Sequence, residues 1–497
     1  MLLKRFYDDD LAQASYLVGC DVAGEAVVID ANRDVEQYIA AADAEGLRIT
    51  HVTETHIHAD FVSGSRQLAA RAGARLLLSG EGGTDWQYGF AKTDGAVLLH
   101  DGDTFNVGRV RVDVRHTPGH TPEHLAFLVT DTATADRPMG AFTGDFIFVG
   151  DVGRPDLLER AAGWVGTMEA SARTLYRSLQ RFLELPDYLQ LWPGHGAGSA
   201  CGKALGAVPQ STLGYERLFN WALTTADEEE FVRMVLAGQP EPPRYFAEMK
   251  RINRDGPPVR EHAERPGRLP AAQLPELLES GALIIDTRHR AAAAAGMIPG
   301  TISLPLGRSF NTWAGWLIPY DRDIYLIVDD DCDDCLERAT RALSMIGLDA
   351  VAGYFGDEVI EAWTASGREL DIVPQMGVGD LAERRVQGGG AAPILVDVRG
   401  AAEWSAGHIP GAQHIPLGEL LERAGELDRD AEVVLHCQGG GRASIGATLL
   451  KAHGFTNVSN LSGGFSEWKA SGQQVETGEG EGTPPEHERA MAASREH

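Results

Sequence analysis

The stretch Thr53 to Gly64, TETHIHADFVSG, decides how the first half of this 497-residue chain is read. His56 and His58 stand at i and i+2 and Asp60 follows, the order in which many hydrolases collect two zinc ions. Phe61 stands where a further histidine would complete the set. Upstream, SYLVGC and EAVVIDA read as a hairpin and VEQYIAAADAEG as a helix. RITHVTETHIH then reads as a buried strand that delivers both histidines at its C-terminal end.

Three fragments downstream carry further donors: RHTPGHTPEH, FTGDFIF and WPGHGAGSA supply His120, Asp145 and His195. Each lies beside glycines or at the end of an apolar strand, where a side chain can be aimed into a cleft. A lone histidine is usually an ordinary surface residue, but the order HxHxD, H, D, H is hard to dismiss as chance. Between these fragments, Trp164, Met168, Leu175, Leu179 and Phe182 have helical spacing and predict one long amphipathic helix whose apolar face is core.

The ordered fragments resemble the metallo-β-lactamase superfold over residues 1–250. The resemblance implies an αββα sandwich with one metal position at His56, His58 and His120, bridged by Asp145. A second position would draw on Asp60, residue 61, Asp145 and His195. Phe61 has no lone pair to donate, so that position loses a nitrogen ligand and gains an apolar wall, which favours a single metal. Two histidines and a carboxylate with open sites suit non-haem Fe(II), and the same donors suit catalytic zinc. Within the superfold, THIHADF, HTPGHTPEH and GDVGRPDL are most similar to the persulfide dioxygenases, although members of that family often keep a histidine where Phe61 stands. This implies oxidation of a thiol persulfide by O2 to sulfite at one Fe(II) per chain, held by His56, His120 and Asp145 with His58 not ligating. Asp60 and His195 would line the same cleft. Arg154 and Asp156 fall where that family has an arginine and an acid beside the iron. Arg154 either orients an anionic persulfide or sulfite through its fork of donors, or pins its loop by an ion pair to Asp156 or Asp151. Cys201, six residues after His195, lies in a loop expected near the cleft, where it is either passive or a carrier of sulfane sulfur.

The second half repeats itself. LIIDTRHRAAAAAGMIPGTISLPLG and ILVDVRGAAEWSAGHIPGAQHIPLG superpose without a gap, Asp286 onto Asp397 and Arg288 onto Arg399, 111 residues apart. In the second copy, VVLHCQGGGRASIGATLLKAHG places Cys437 at a strand end, Gly439, Gly440 and Gly441 in a turn, and Arg442 at a helix start. A thiolate there would face backbone N–H groups and the positive end of a helix. With VDVRGAAEW, GHIPGAQHIP and LSGGFSEW, this copy resembles the rhodanese sulfurtransferases. The resemblance implies that Cys437 carries sulfur as a persulfide while Arg442 and the loop amides bind the anionic donor. In the first copy, counting back from the helix-end glycine puts Asp330 in the place of Cys437, within VDDDCDDC. That acidic loop would repel sulfur oxyanions, so the copy is expected to be inactive. Cys332 and Cys335 could be redox-active or bind a metal, and a structural role is the preferred reading.

The expected fold is α/β multidomain: the sandwich over 1–250, a charged Pro- and Gly-rich linker over 251–270, and mostly parallel rhodanese-like domains over 271–375 (inactive) and 376–474 (active). A tail at 475–497 is too rich in Glu, Gly and Pro to support a core. The 72 acidic against 44 basic residues, a net charge of −28, oppose nucleic acid or anionic membrane as partners. Five scattered cysteines predict reduced thiols, and no apolar run approaches a membrane span, so a cytoplasmic protein is expected. Acidic surfaces are compatible with monomer, dimer or tetramer. The joined parts imply a persulfide dioxygenase coupled to thiosulfate-forming sulfur transfer, an architecture found among bacterial sulfide-detoxifying enzymes. The alternative is a zinc-dependent thioester hydrolase with regulatory rhodanese modules.

Overall fold

A computed structural model describes residues 1–157, 166–199, 201–202, 205–239, 241–260, 265–387 and 393–478. The chain forms two compact units: Met1–Glu264 with Ala314–Tyr320 and Thr340–Asp349, and the remainder.

In the first unit, strands β1 (Leu2–Asp8), β2 (Gln13–Cys20), β3 (Glu25–Ile29), β4 (Arg48–Thr53), β5 (Arg75–Ser79) and β6 (Val97–Leu99) form one sheet in that order. β2 and β3 make the expected hairpin, and β3 to β6 run parallel. The second sheet holds β7 (Thr104–Val107), β8 (Val110–His116), β9 (Leu125–Asp131), β10 (Gly140–Gly144), β11 (Gln190–Pro193) and β12 (Ser211–Thr212), antiparallel except for β10 beside β11.

Alternation along the strands builds the layers. Tyr16, Val18, Val27 and Ile29 point to a core shared with Val112, Val114, Phe127 and Phe142 of the second sheet. The intervening Leu17, Ala26 and Val28 pack instead with Tyr38 and Leu68 of flanking helices. Across the molecule, Ala126, Leu128 and Leu191 meet Leu175, Leu179 and Phe182 of the helix Met168–Phe182. These are the four layers of an αββα sandwich, and each large side chain buried this way stabilises by roughly 1.5–3 kcal/mol. Trp164, expected at the start of that last helix, lies outside the described residues.

The helix Tyr245–Asp255 runs into the segment expected to be linker. Its buried face, Tyr245, Phe246, Met249 and Asn253, begins ahead of Arg251, so a window opened at Arg251 misses the apolar period.

The second unit holds two parallel sheets. β13 (Leu283–Asp286), β14 (Ile302–Ser303), β15 (Ile324–Ile327) and β16 (Val351–Phe355) are ordered β14-β13-β15-β16. β17 (Gln375–Met376), β18 (Ile394–Asp397), β19 (Gln413–His414), β20 (Val433–His436) and β21 (Val458–Leu461) are ordered β17-β21-β20-β18-β19. Apart from β17 the two orders are the same. Asp286–Arg288 and Asp397–Arg399 are buried ion pairs at 2.6 Å, and each arginine also donates to a glycine carbonyl eight residues on. Among the described residues no helix is long and apolar enough to cross a membrane. The glycine-rich joint at 388–392 and most of the tail, 479–497, lie outside the described residues.

Candidate functional site

β4 ends at Thr53, and the next eight residues form a buried loop at the rim of the sandwich. Long-range partners hold it. Thr55 donates through N and Oγ1 to the Asp30 carboxylate at 2.6 and 2.9 Å, and Ile57 N donates to Glu123 at 2.8 Å. Asn253 donates to the carbonyls of His58 and Phe61 at 2.8 and 2.7 Å and accepts from Ser63 N.

His56, His120 and Asp145 converge. His120 Nδ1 donates to the Arg154 carbonyl at 3.0 Å, which turns Nε2 toward Asp145 Oδ2, 3.5 Å away. His56 Nε2 stands 4.0 Å from the same oxygen. Asp145 directly follows β10, and its backbone N–H donates to His124 Nε2 at 3.1 Å. Both Asp145 carboxylate oxygens are buried without a hydrogen bond, and burial holds His56 and His120 below the usual histidine range. Neutral nitrogens facing an unpartnered carboxylate are the donor set a cation needs.

His58 meets a different carboxylate through Nε2, while its Nδ1 is buried without a hydrogen bond. Its Nε2 lies 3.1 Å from Asp30 Oδ1, and the Phe61 ring packs against it, tilted by 35°, at 4.4 Å between centroids. Burial alone would lower its pKa, but Asp30, with Glu54 and Asp60 behind it, lifts it to about 9. Phe61 is fully buried.

Asp60, His195 and Cys201 form a second buried group whose ligand atoms lie within 4.8 Å of one another. Burial first, then Asp145 and Asp60, push the Cys201 thiol well up. Arg154 grips Asp156 with two donors, Nε at 3.0 Å and Nη2 at 2.8 Å, both residues being buried. That is the geometry of a pinned loop, and through the Arg154 carbonyl it also fixes the His120 ring.

The Cys437 loop lies in the second unit. Gly440 N donates to Cys437 Sγ at 3.1 Å, and Gly440 takes φ +95°, open to glycine at little cost. Gly464 packs so closely on the Cys437 carbonyl that any Cβ would collide with it. Gly439 and Gly441 have open space where a Cβ would stand, so the loop's amides are not walled off by side chains there. Arg442 faces Glu403 in a two-pronged pair at 2.6 and 2.7 Å.

In the preceding repeat, Ile327 pairs with Asp286 as His436 pairs with Asp397. The place of Cys437 is therefore Val328, not the Asp330 obtained by counting from the helix end, because the strand-to-helix loop is longer there. Asp330 itself pairs with Arg268 at 2.7 Å. Cys332 and Cys335 are joined as a disulfide, against the expectation of reduced thiols. Three residues of separation at a helix start bring their Cα atoms to 5.5 Å, within disulfide range. Cys20, Cys201 and Cys437 are free.

Sequence reasoning did not single out Asp30, Glu123, His124 or Asn253. Asp30 carried a faint signal as the acid at the end of the apolar run EAVVIDA. Asn253 carried none.

The metallo-beta-lactamase superfamily model matches residues 8–195, and the rhodanese-like domain model matches residues 379–471. A "Probable metallo-hydrolase" of Burkholderia pseudomallei is 32% identical over 221 residues, which is 39% of this chain and 72% of that protein. The human mitochondrial persulfide dioxygenase is 30% identical over 237 residues, covering 47% of this chain and 80% of that protein. A crystal structure of a metallo-beta-lactamase from Staphylococcus aureus superposes with a TM-score of 0.64 at 42% identity, over 72% of this chain and 99% of that one.

Proposed function

The chain belongs to the metallo-beta-lactamase superfamily and carries a C-terminal rhodanese-like domain, and from there we propose that it is an Fe(II) persulfide dioxygenase coupled to sulfur transfer. The observation that supports this most is the convergence of His56, His120 and Asp145 in one buried group. The His56 and His120 Nε2 atoms lie 4.0 and 3.5 Å from Asp145 Oδ2, and Phe61 adds no donor. Two nitrogens and one carboxylate oxygen form the facial set associated with non-haem Fe(II), with one such ion per chain. When bound, the ion supplies a Lewis-acid centre at which a persulfide sulfur and O2 can be brought together.

The chain's own residues prepare that place. Arg154 orients His120, Asp30 engages His58 Nε2, and burial keeps His56 and His120 neutral so that their lone pairs are available. Overall, a thiol persulfide, O2 and water give the thiol, sulfite and two protons. Cys437 then takes sulfane sulfur from a second persulfide, releasing its thiol, and passes it to sulfite as thiosulfate. The amides of Gly439, Gly440 and Gly441 and the Arg442 fork would receive these anions, which must compete with Glu403 for the guanidinium. The preceding repeat, with Val328 in the place of Cys437, is proposed as a rhodanese-like domain without transfer activity. The proposed partners are a low-molecular-weight thiol persulfide, O2 and sulfite or thiosulfate in the cytoplasm. The net charge of −28 opposes polyanionic partners.

One observation favours a zinc hydrolase instead: Asp60 and His195 stand close to Asp145, as a second hydrolytic metal would need. Metal analysis of anaerobically purified chain, combined with O2 uptake on glutathione persulfide, separates the two. Iron at one equivalent with sulfite formed supports the dioxygenase. A chain that holds no iron, consumes no O2 and cleaves a glutathione thioester is the hydrolase.

A further inference from the structure

In the first repeat, the loop between β15 and the helix Cys335–Met345 holds a cysteine pair that neither the metal cleft nor the Cys437 loop uses. We propose that the Cys332–Cys335 disulfide is a thiol–disulfide exchange site whose partner is a low-molecular-weight thiol carrying a positive charge.

β15 pairs in parallel with both β13 and β16, so this loop leaves the carboxyl end of an inner strand, where open α/β sheets place their ligands. The bridge is within reach of solvent there: both cysteines are half-buried, and Asp331, Asp333 and Asp334 beside them are exposed. Its value as a clip is small. The two cysteines are three residues apart, too short a loop to remove much entropy from the unfolded chain, and Cys335 N already donates to the Cys332 carbonyl across the same turn. Exchange opens it in two steps. A thiolate attacks one sulfur and displaces the other as thiolate, leaving a mixed disulfide; a second thiol then releases it, so two thiols become one disulfide while the bridge takes up two electrons and two protons. Charge selects the partner. The segment Asp329 to Cys335, DDDCDDC, carries five carboxylates alongside the two sulfurs. Arg338 reaches Asp334 at 3.6 Å and Arg268 is shared by Asp330 and Glu358 at 2.7 and 2.6 Å, while Asp331 and Asp333 pair with no cation among the described residues. The attacking thiolate is itself an anion, so a carboxylate on the same molecule adds to the repulsion and an ammonium offsets it. Anionic thiols and persulfides are therefore held off from a pair that an aminothiol reaches. Nothing in this exchange requires the metal or a persulfide.

Cysteamine and thioglycolate, a cationic and an anionic probe, test this on the full chain isolated without added reductant. Opening is read by alkylation and mass spectrometry of the peptide that holds Cys332 and Cys335. Each rate is divided by that of the same thiol on bis(hydroxyethyl) disulfide, a neutral reference that removes differences in thiol acidity. Cysteamine should then be faster by at least about tenfold at low salt. In about 1 M sodium chloride, where the screening length is about 3 Å, the ratio should fall toward one. Asp333→Asn/Asp334→Asn should lower the low-salt ratio, with circular dichroism checking its fold; should that variant not fold, the salt dependence of the wild type decides. A chain isolated without the bridge, a bridge that cysteamine does not open, a ratio near one at low salt, or a ratio that salt leaves unchanged overturns the inference.

Discussion

The metal cleft and the Cys437 loop are both reaction centres placed just past strand ends, yet they are assembled in opposite ways. The cleft draws His56, His120, Asp145 and His195 from four separate connections, the His120 and His195 rings aimed by hydrogen bonds to the distant Arg154 and Ala12 carbonyls and the His56 ring held by the Thr55 hydroxyl beside it. The loop draws Cys437 to Arg442 from six consecutive residues that run from the end of β20 into the first turn of the helix Gly441–Ala452. The cleft collects negative groups that lack partners, whereas the loop offers N–H donors and a cation. A centre of the first kind gathers a metal, and one of the second kind holds an anion.

If the two are separate machines, the largest effect comes from Cys437→Ser. Thiosulfate formation from a persulfide and sulfite should fall by about a thousandfold or more, because the variant lacks the attacking sulfur. O2 uptake should remain, and loss of both activities would break the division.

Acid should weaken the loop's scaffold next. Burial first, then Arg399 against the opposing pull of Asp397, holds His436 at about 4. An unfolded histidine titrates near 6.5, so between these values the unfolded chain binds a proton that the folded chain refuses. Stability should therefore be intact above pH 6.5 and fall by on the order of 3 kcal/mol as pH drops to 4. Hydrogen exchange of Val433–His436, corrected for intrinsic rate, reads this directly. Protection that stays level across that range would refute the assignment.

A smaller effect sharpens the other side. Asp30→Asn removes the charge that engages His58 Nε2 and accepts from Thr55, and supporting residues of this kind typically change metal affinity about 10- to 100-fold. Chelator competition on the full chain measures it. An unchanged affinity would mean that Asn253 and Glu123 hold the loop without help.

The same contrast explains what could be read in advance. The Cys437 loop was legible because its parts are contiguous and Gly440 sits where φ is positive. The cleft was legible only as an ordered set of donor types. The His58 ring is held by Asp30, 28 residues away, and the loop's support depends on Asn253, 192 to 195 residues away. Cys201 could be placed near the cleft but not beside Asp60. In the preceding repeat, counting along the chain misplaced the Cys437 equivalent by two residues, since loop length is invisible until sheet register is known.

The sequence by itself determined individual strands and helices, the internal repeat and the donor inventory, because hydrophobic period and residue chemistry are local properties, whereas the layering came as what the family resemblance implies. Tertiary structure alone decided which donors face one another. A histidine is a ligand or a bystander according to what its ring nitrogens meet, and those partners come from elsewhere in the chain.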